Sequence, residues 1–187
     1  MELEKDGENM LKVIVAIFIF CFLFSKDINI SLIKLYKKHS YFTICNRRWI
    51  YINKLANKRE DLLSLVAYSC LKKGNLIPAL DVAKFLKKTK YGRKNATYIA
   101  NLFLMKKLII QVIKDNLDVS SIELPIINDY IVGKIYSLLQ TNNYKRDNNK
   151  LTLKDKDFLY EISLTRKGNL LIKTFKNNHL IKKELIW

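Results

Sequence analysis

Residues 60–107 read EDLLSLVAYSCLKKGNLIPALDVAKFLKKTKYGRKNATYIANLFLMKK, and they carry the strongest periodic pattern in the chain. In the first part of this segment, apolar residues recur at helical spacing from Leu62 to Leu71. The acidic pair Glu60-Asp61 suits a first helical turn, and Lys72-Lys73-Gly74 supplies a basic last turn followed by a capping glycine. The pattern therefore predicts a helix that begins at Glu60 and ends before Gly74.

Two more helices are predicted within the same segment. Pro78 suits the first position of a short helix that stops near Thr89, and its apolar face holds Ala79, Val82, Ala83 and Leu86. A third helix is predicted from Lys94 to about Lys107, with Ala96, Ile99, Leu102 and Phe103 pointing inward. The opposite side of this third helix would then carry Lys94, Thr97, Tyr98, Asn101 and Met105.

The remainder of the chain predicts a strand, a long excursion, a second strand and a last helix. Residues 108–113 are rich in β-branched side chains and favour a strand, and residues 158–164 alternate as a half-buried strand does. Between them, an apolar stretch at 126–139 favours a helix, whereas the polar residues 142–157 are expected to be mobile. Thr165 can cap a final helix that continues to Trp187.

The N-terminal part of the chain allows several interpretations. Residues 13–24 are twelve uninterrupted apolar residues, whereas a membrane span usually needs about twenty. Residues 11–25 therefore predict either a short membrane anchor or a buried or dimer-forming helix. A cleaved signal peptide is the third alternative, and the acidic leader disfavours it. Farther on, residues 44–55 are ambiguous between helix and strand.

Charge is distributed unevenly along the chain. Its formal net charge is +17. Residues 34–59 hold eight basic and no acidic side chains, residues 72–107 hold ten basic and one acidic, and thirteen basic face nine acidic from Lys114 onward. Such a local excess favours nucleic acid or an anionic membrane surface as the partner.

Candidates for catalysis or metal binding are few. The three cysteines have no CxxC spacing, and they are interpreted as buried small residues of a reducing compartment rather than as a disulfide framework. His39 and His179 have no cysteine or carboxylate at ligand spacing. The sequence shows no phosphate-binding glycine loop and no nucleophile motif. We therefore expect no enzyme, no metal and no cofactor.

The order of these elements resembles the winged helix-turn-helix family of DNA-binding proteins, broadly the MarR-like transcriptional regulators. The similarity lies in LLSLV (62–66), LDVAKFL (80–86), residues 96–110 with their LMKKLI ending, and YEISLTRKG (160–168), which looks like the L-T-x-x-G run of that family. Two features depart from it. The loop at 88–93 is longer than the tight bacterial turn, and the wing would enclose more than forty residues.

The resemblance implies that the third helix enters the major groove of DNA. Thr97, Tyr98 and Asn101 would meet base edges, and Arg93 and Lys94 would lie at the entrance to the groove. Phosphates would be held by Lys84, Lys87, Lys88 and Lys90. The flanking backbone would be reached either by Lys145, Arg146 and Lys150 of the excursion or by Arg166 and Lys167 beside the second strand.

The sequence thus predicts a mainly helical α+β fold with a small β-hairpin. Its parts are an N-terminal apolar and basic segment (1–57), a winged-helix domain (58–176) with a helix-containing insertion at about 115–157, and a helical tail (177–187). The expected function is sequence-specific binding of double-stranded DNA, and thereby regulation of transcription, by a cytoplasmic homodimer. The alternative is a membrane-anchored protein whose basic domain binds anionic lipid or a protein partner.

Overall fold

The computed structural model describes residues 28–187, in which seven helices precede five strands. The helices are α1 (Ile28–Lys37), α2 (Tyr41–Asn46), α3 (Arg48–Leu55), α4 (Glu60–Lys72), α5 (Leu76–Ala83), α6 (Lys90–Asp115) and α7 (Ile131–Gln140). The strands are β1 (Tyr144–Asp147), β2 (Lys150–Asp155), β3 (Phe158–Leu164), β4 (Leu170–Lys176) and β5 (His179–Ile186). The predicted N-terminal apolar helix lies outside the described residues.

Helix α4 is the centre of the helical part. Leu63, Val66 and Cys70 on this helix are fully buried, and α1, α2, α3, α5 and α6 all contact it. Gly74 follows its last turn with a φ of +72°, a left-handed conformation that glycine adopts without steric cost. This glycine turns the chain directly into α5, so α4 and α5 form a closely packed helix pair.

The five strands form one antiparallel sheet in the order β1-β2-β3-β4-β5. Each turn of this meander contains a residue with positive φ: Asn148, Lys156, Gly168, and the pair Asn177-Asn178. Two successive residues with positive φ are typical of the tight turns that join antiparallel strands. The inner face of the sheet buries alternate residues such as Leu153, Ile162 and Ile172, and these join the helices in one continuous core.

Several predicted elements are confirmed. The helix predicted from Glu60 is α4, and the alternating segment at 158–164 is β3. A helix is present within the apolar stretch 126–139, although α7 begins only at Ile131. The ambiguous residues 44–55 lie in α2 and α3. The second predicted helix exists, but it begins at Leu76, so Pro78 is its third residue rather than its first.

The strand predicted at 108–113 is wrong, because these residues form the carboxyl half of α6. Ile109, Val112 and Ile113 are buried and continue the face begun by Ile99 and Leu102. A spacing of three to four residues is kept along this whole face, and burying it outweighs the modest preference of β-branched residues for strands. The predicted pairing of 108–114 with 158–164 is therefore also wrong, since β3 pairs with β2 and β4.

The helix predicted from Thr165 to Trp187 is wrong as well, and so is the helical tail at 177–187. These residues form β4 and β5. Residues 142–157, expected to be mobile, contribute β1 and β2. The predicted small hairpin is therefore wrong, because the structure has a five-stranded sheet. The predicted α+β class is confirmed.

A disulfide joins Cys45 of α2 to Cys70 of α4. Both residues are buried, as the sequence predicts. The expectation that they are unpaired thiols is wrong, because the short helix α2 brings Cys45 against the last turns of α4. The bond closes a loop across 25 residues, and loops of this size are the kind that a cross-link restrains in the unfolded chain.

Candidate nucleic-acid interface

The basic loop that leads into α6 is held in place by one buried carboxylate. Glu60, in the first turn of α4, is only 5% exposed. Its Oε1 accepts hydrogen bonds from the backbone N–H groups of Lys87 (2.8 Å) and Lys88 (2.6 Å). Its Oε2 accepts from the N–H (2.8 Å) and the Oγ1 hydroxyl (2.6 Å) of Thr89. All four donors therefore converge on a single side chain.

These contacts determine the ionisation of Glu60. Burial alone would raise its pKa, but the hydrogen bonds from Thr89 and from the backbone of Lys88 and Lys87 favour the charged form more strongly. The pKa of the carboxyl is thereby lowered to about 2. The buried group is consequently an anion at neutral pH, and it fixes the loop by accepting hydrogen bonds without exposing negative charge to a ligand.

Thr89 and Gly92 complete the start of α6. Thr89 is the N-cap, and its Oγ1 accepts a hydrogen bond from the N–H of Gly92 at 2.9 Å. A Cβ at position 92 would collide with Oε2 of Glu60 and lie 2.8 Å from Oγ1 of Thr89. Glycine avoids this overlap, which arises from the close approach of α4 to the first turn of α6.

The predicted phosphate-binding side chains differ in what they contact. Lys84 pairs with Asp81 at 3.5 Å, and the ammonium of Lys88 donates to the carbonyl oxygen of Asn57 at 3.1 Å. Among the described residues, no hydrogen bond or ion pair engages the side chains of Lys87, Lys90 and Lys94, and all three are exposed. These three lysines form the accessible cationic surface, which we call the entry surface of α6.

Arg93, predicted at the entrance to the groove, holds the loop instead of standing free. Its Nη1 donates to the carbonyl oxygens of Lys88 at 2.7 Å and of Lys87 at 3.2 Å. The guanidinium still adds positive charge to the entry surface, because its remaining donors face solvent at an exposed position. Arg93 therefore both orders the loop and contributes to its field.

The residues predicted to meet base edges are only partly available. Thr97 is exposed, and Asn101 is half-buried. Tyr98 is half-buried and donates its hydroxyl hydrogen to Asp129 at 3.1 Å. The pKa of Tyr98 is raised, first by burial of its hydroxyl and second by this contact with Asp129. Met105, predicted on the same outward side, is buried, and that prediction is wrong.

Arg166 and Lys167 do not join the entry surface. They lie exposed in the turn between β3 and β4, at the edge of the sheet where Leu170 pairs with Ile186. The adjacent Trp187 donates its N–H to the carbonyl oxygen of Gly74, beyond the carboxyl end of α4. Glu60 and the basic loop lie at the other end of this helix, which is roughly 20 Å long.

The cations predicted on the excursion are engaged elsewhere. Arg146 donates to the carbonyl oxygens of Val112 at 3.0 Å and Ile113 at 2.9 Å, near the end of α6. Lys150 pairs with Glu161 at 2.6 Å. The alternative in which Lys145, Arg146 and Lys150 reach a nucleic-acid backbone thus loses two of its three side chains to contacts within the fold.

Three residues that matter here were missed in the sequence. Glu60 was interpreted only as an acid that suits the start of α4, and Thr89 only as the end of α5. The available signal was the threonine three residues before Gly92, a spacing at which a hydroxyl can cap a helix. Tyr91, which is 79% exposed beside the entry surface, was also missed.

Two further features of residues 28–187 bear on metal binding and on membrane insertion. No group of three or more histidine, cysteine or acidic side chains is close enough there to hold a metal ion. Helix α6 is long and apolar enough to cross a membrane by length and composition. The core helix of a soluble protein has the same length and composition, and α6 packs against α4, α5 and α7.

Comparisons of the chain with protein-family models, with curated proteins and with solved structures found no match.

Proposed function

We propose that this chain binds double-stranded DNA in a sequence-specific manner through the entry surface and the amino half of α6, as a regulator of transcription. The observation that carries the proposal is the exposure of Lys87, Lys90 and Lys94 around the start of one long helix. Because Glu60 accepts hydrogen bonds from the backbone N–H groups of residues 87–89, it fixes the backbone from which Lys87 projects beside the first turn of α6.

The arrangement of helices supports the same function. Helices α4, α5 and α6 pack on one another, and the third begins at the most basic part of the chain. In helix-turn-helix proteins the last helix of such a unit lies in the major groove, and its first turns meet the bases. In this proposal Thr97 contacts base edges directly. Asn101 contacts them after its half-buried side chain changes rotamer, and the lysines bind the phosphates on either side.

Binding of DNA as a homodimer belongs to the proposal, because regulators of this kind usually recognise two half-sites. The winged-helix family has a short wing, whereas this chain has a five-stranded sheet after α7. We do not assign it a contact with DNA, since Arg166 and Lys167 lie toward the far end of α4. The proposal includes no catalytic step.

The test is a duplex titration at two salt concentrations with a charge-matched control. Lys87→Glu should weaken binding to all duplexes alike and flatten the dependence of affinity on salt. Lys154→Glu makes the same charge change at an exposed position of β2 and should have a much smaller effect. Thr97→Ala should chiefly reduce discrimination between sequences. Equal losses for Lys87→Glu and Lys154→Glu would show that only net charge matters and would contradict the proposal.

A second candidate function is binding to an anionic membrane surface through α1–α3. It is favoured by exposed aromatic and aliphatic side chains on these helices: Phe42 is 59% exposed, Trp49 50% and Ile50 51%. They lie in the segment 34–59, which contains no acidic residue. Exposed apolar rings beside lysine and arginine suit the interface of a membrane.

Vesicle sedimentation separates the two candidates. If the membrane proposal holds, the chain sediments with vesicles that contain phosphatidylserine, and Trp49→Ser reduces that binding while Lys87→Glu leaves most of it. If the DNA proposal holds alone, Trp49→Ser has no effect on duplex affinity, and the chain stays in the supernatant with both anionic and neutral vesicles.

The disulfide bears on where the chain resides. Transcriptional regulation requires a cytoplasmic location, to which attachment to a membrane through residues 11–25 is an alternative, but disulfides are rare in reducing compartments. Thiol alkylation of cells quenched with acid measures the state of Cys45 and Cys70. Alkylated, reduced thiols would agree with a DNA-binding protein in the cytoplasm, whereas a protected, oxidised pair would place the chain in an oxidising compartment.

A further inference from the structure

The solvent-facing side of α6 carries a row of small and apolar side chains. Thr97 and Ala100 are exposed, and Leu104 is 44% exposed. These residues recur at intervals of three and four, so they lie on one face of the helix. Asn101, four residues after Thr97, is half-buried at the border of the same face. We call these four residues the outer face of α6.

The outer face contains no charge. Residues 97–104 read TYIANLFL, although 27% of the residues in the whole chain are charged. A helix face that meets only water normally carries charged side chains. At the border of the outer face, the hydroxyl of Tyr98 donates to Asp129 at 3.1 Å, so this carboxylate is already engaged. The lack of charge indicates a surface that meets a partner.

Positive charges stand at both ends of the outer face. Lys94 lies three residues before Thr97, and Lys107 lies three residues after Leu104; both lysines are exposed. The helix rises roughly 20 Å between them. Cations at the two ends of an uncharged face suit a polyanion whose phosphates border the groove that receives the face.

The same lysines disfavour a second copy of α6 as the occupant. If two copies of the outer face packed together, Lys94 and Lys107 would approach lysines of the other copy in the parallel and in the antiparallel orientation alike. Like charges at such contacts repel. Charge complementarity therefore favours a nucleic-acid duplex over a copy of this chain.

The residue types of the outer face match one kind of base pair. In the major groove, thymine presents its C5 methyl group, which alanine and the threonine methyl group contact, and adenine presents the N6 and N7 atoms that asparagine can bind together. Guanine is read chiefly by arginine or lysine, and cytosine by aspartate or glutamate. Residues 97–104 contain none of these four charged types.

From this arrangement we infer that the outer face recognises A·T base pairs, with Thr97, Ala100 and Leu104 packed against thymine methyl groups and Asn101 on an adenine. The inference rests on the proposed binding of duplex DNA and names the base pairs that this binding selects. The outer face rises roughly 10 Å from Thr97 to Leu104, which corresponds to about three base pairs at 3.4 Å each.

The test is titration of the full chain with four duplexes of equal length. The first alternates adenine and thymine, and the second has deoxyuridine in place of every thymine, which removes only the methyl groups. Affinity should fall about tenfold from the first to the second, as expected for the loss of about two buried methyl groups. The third alternates guanine and cytosine, and the fourth has 5-methylcytosine, whose methyl group should strengthen binding about threefold over the third.

Matched variants assign the effect to the outer face. Leu104→Ser should reduce the ratio of affinities for the thymine and deoxyuridine duplexes to about threefold and leave the affinity for the unmethylated G·C duplex unchanged. Its melting temperature reports whether the fold is retained. Leu180→Ser makes the same change at a leucine of β5 that is 52% exposed, and it should alter neither quantity. Lys87→Glu should weaken all four duplexes and leave the ratio unchanged.

The outcomes separate this inference from the proposed function. Equal affinity for the thymine and deoxyuridine duplexes, with binding still weakened by Lys87→Glu, would overturn the inference and leave the proposed function standing. Absence of binding to every duplex would overturn both. If Leu104→Ser turned a dimer into a monomer in light scattering and left the ratio unchanged, the outer face would be an interface between copies, and the inference would be wrong.

Discussion

The two ends of α6 differ sharply although they belong to one continuous helix. The amino end carries exposed Lys90 and Lys94 and is fixed by polar contacts with Glu60. The carboxyl end buries Ile109 and Ile113 completely and is fixed by packing, with Arg146 on its last carbonyl oxygens. The same helix is thus exposed to solvent at its start and part of the hydrophobic core at its end.

This difference shows why the charge of a segment is a poor measure of the charge it presents. Lys106 was counted with the basic block at 72–107, yet it is only 4% exposed. The pKa of its ammonium is lowered, first by burial and second by the positive charge of the neighbouring Lys107. Lys106 therefore adds little to the charge that α6 presents, whereas Lys87, Lys90 and Lys94 of the entry surface are exposed.

The largest effect on stability is expected at the buried end. Ile109→Ala removes a fully buried side chain and leaves a cavity beneath the helix. We expect a loss of about 3 to 4 kcal/mol in the free energy of unfolding, measured by urea titration. The variant should keep the affinity for duplex DNA at a temperature where it is folded. A loss below about 0.5 kcal/mol would show that this end of α6 is not core.

The next effect is expected at the amino end, where Glu60→Gln keeps the shape of the side chain but removes its charge. We expect a loss of about 2 to 3 kcal/mol at neutral pH, because a carboxylate accepts these hydrogen bonds better than an amide. Since folding lowers the pKa of Glu60 from 4.5 to about 2, its contribution is complete above pH 4.5 and is lost as the pH falls toward 2. Urea titrations at pH 7, 4 and 2.5 should therefore show the gap between native chain and variant closing in that window. A gap that stays constant down to pH 2.5 would contradict the role of the charge.

A smaller effect is expected for Gly92→Ala. Alanine favours a helix by about 1 kcal/mol over glycine, but its Cβ would displace the Glu60 carboxylate. We expect a net loss of about 1 kcal/mol, because displacing Glu60 costs more than the preference gains. In the Glu60→Ala background only the close contact with Oγ1 of Thr89 remains, so the same substitution should cost less, and a double-mutant cycle measures this coupling. Identical effects in both backgrounds would mean that Glu60 and Gly92 do not interact.

The smallest effect on stability is expected at the exposed lysines. Lys94→Gln should change the free energy of unfolding by less than about 0.5 kcal/mol, because the side chain has no partner among the described residues. Duplex affinity should nevertheless fall, and more at low salt than at high salt. A large loss of stability without a change in duplex affinity would reverse the roles assigned to the two ends.

Much of the helical part follows from local signals. The spacing of apolar residues from Leu62 to Leu71 and the glycine after them predict α4 within a residue or two. The basic residues of the entry surface were likewise visible as a cluster. What could not be predicted was which of them are free, because Lys84, Lys88 and Arg93 are engaged by groups that are brought near only by folding.

The C-terminal sheet was largely missed for a different reason. Its strands are short and partly polar, so their alternation competes with helical spacing in the same residues. The Asn177-Asn178 pair was a usable signal, since both residues take positive φ in the turn between β4 and β5. Strand pairing is a contact between distant residues, and a local pattern does not specify its partner.

The amino-acid sequence by itself determines the α+β class, the uneven positive charge and the positions of the most regular helices. These depend only on residue type and on spacing within a few turns. The length of α6, the Cys45–Cys70 bond and the contacts of Glu60 with the basic loop required the folded arrangement. Each joins residues distant in the chain, and packing of the whole core, rather than any local preference, brings them together.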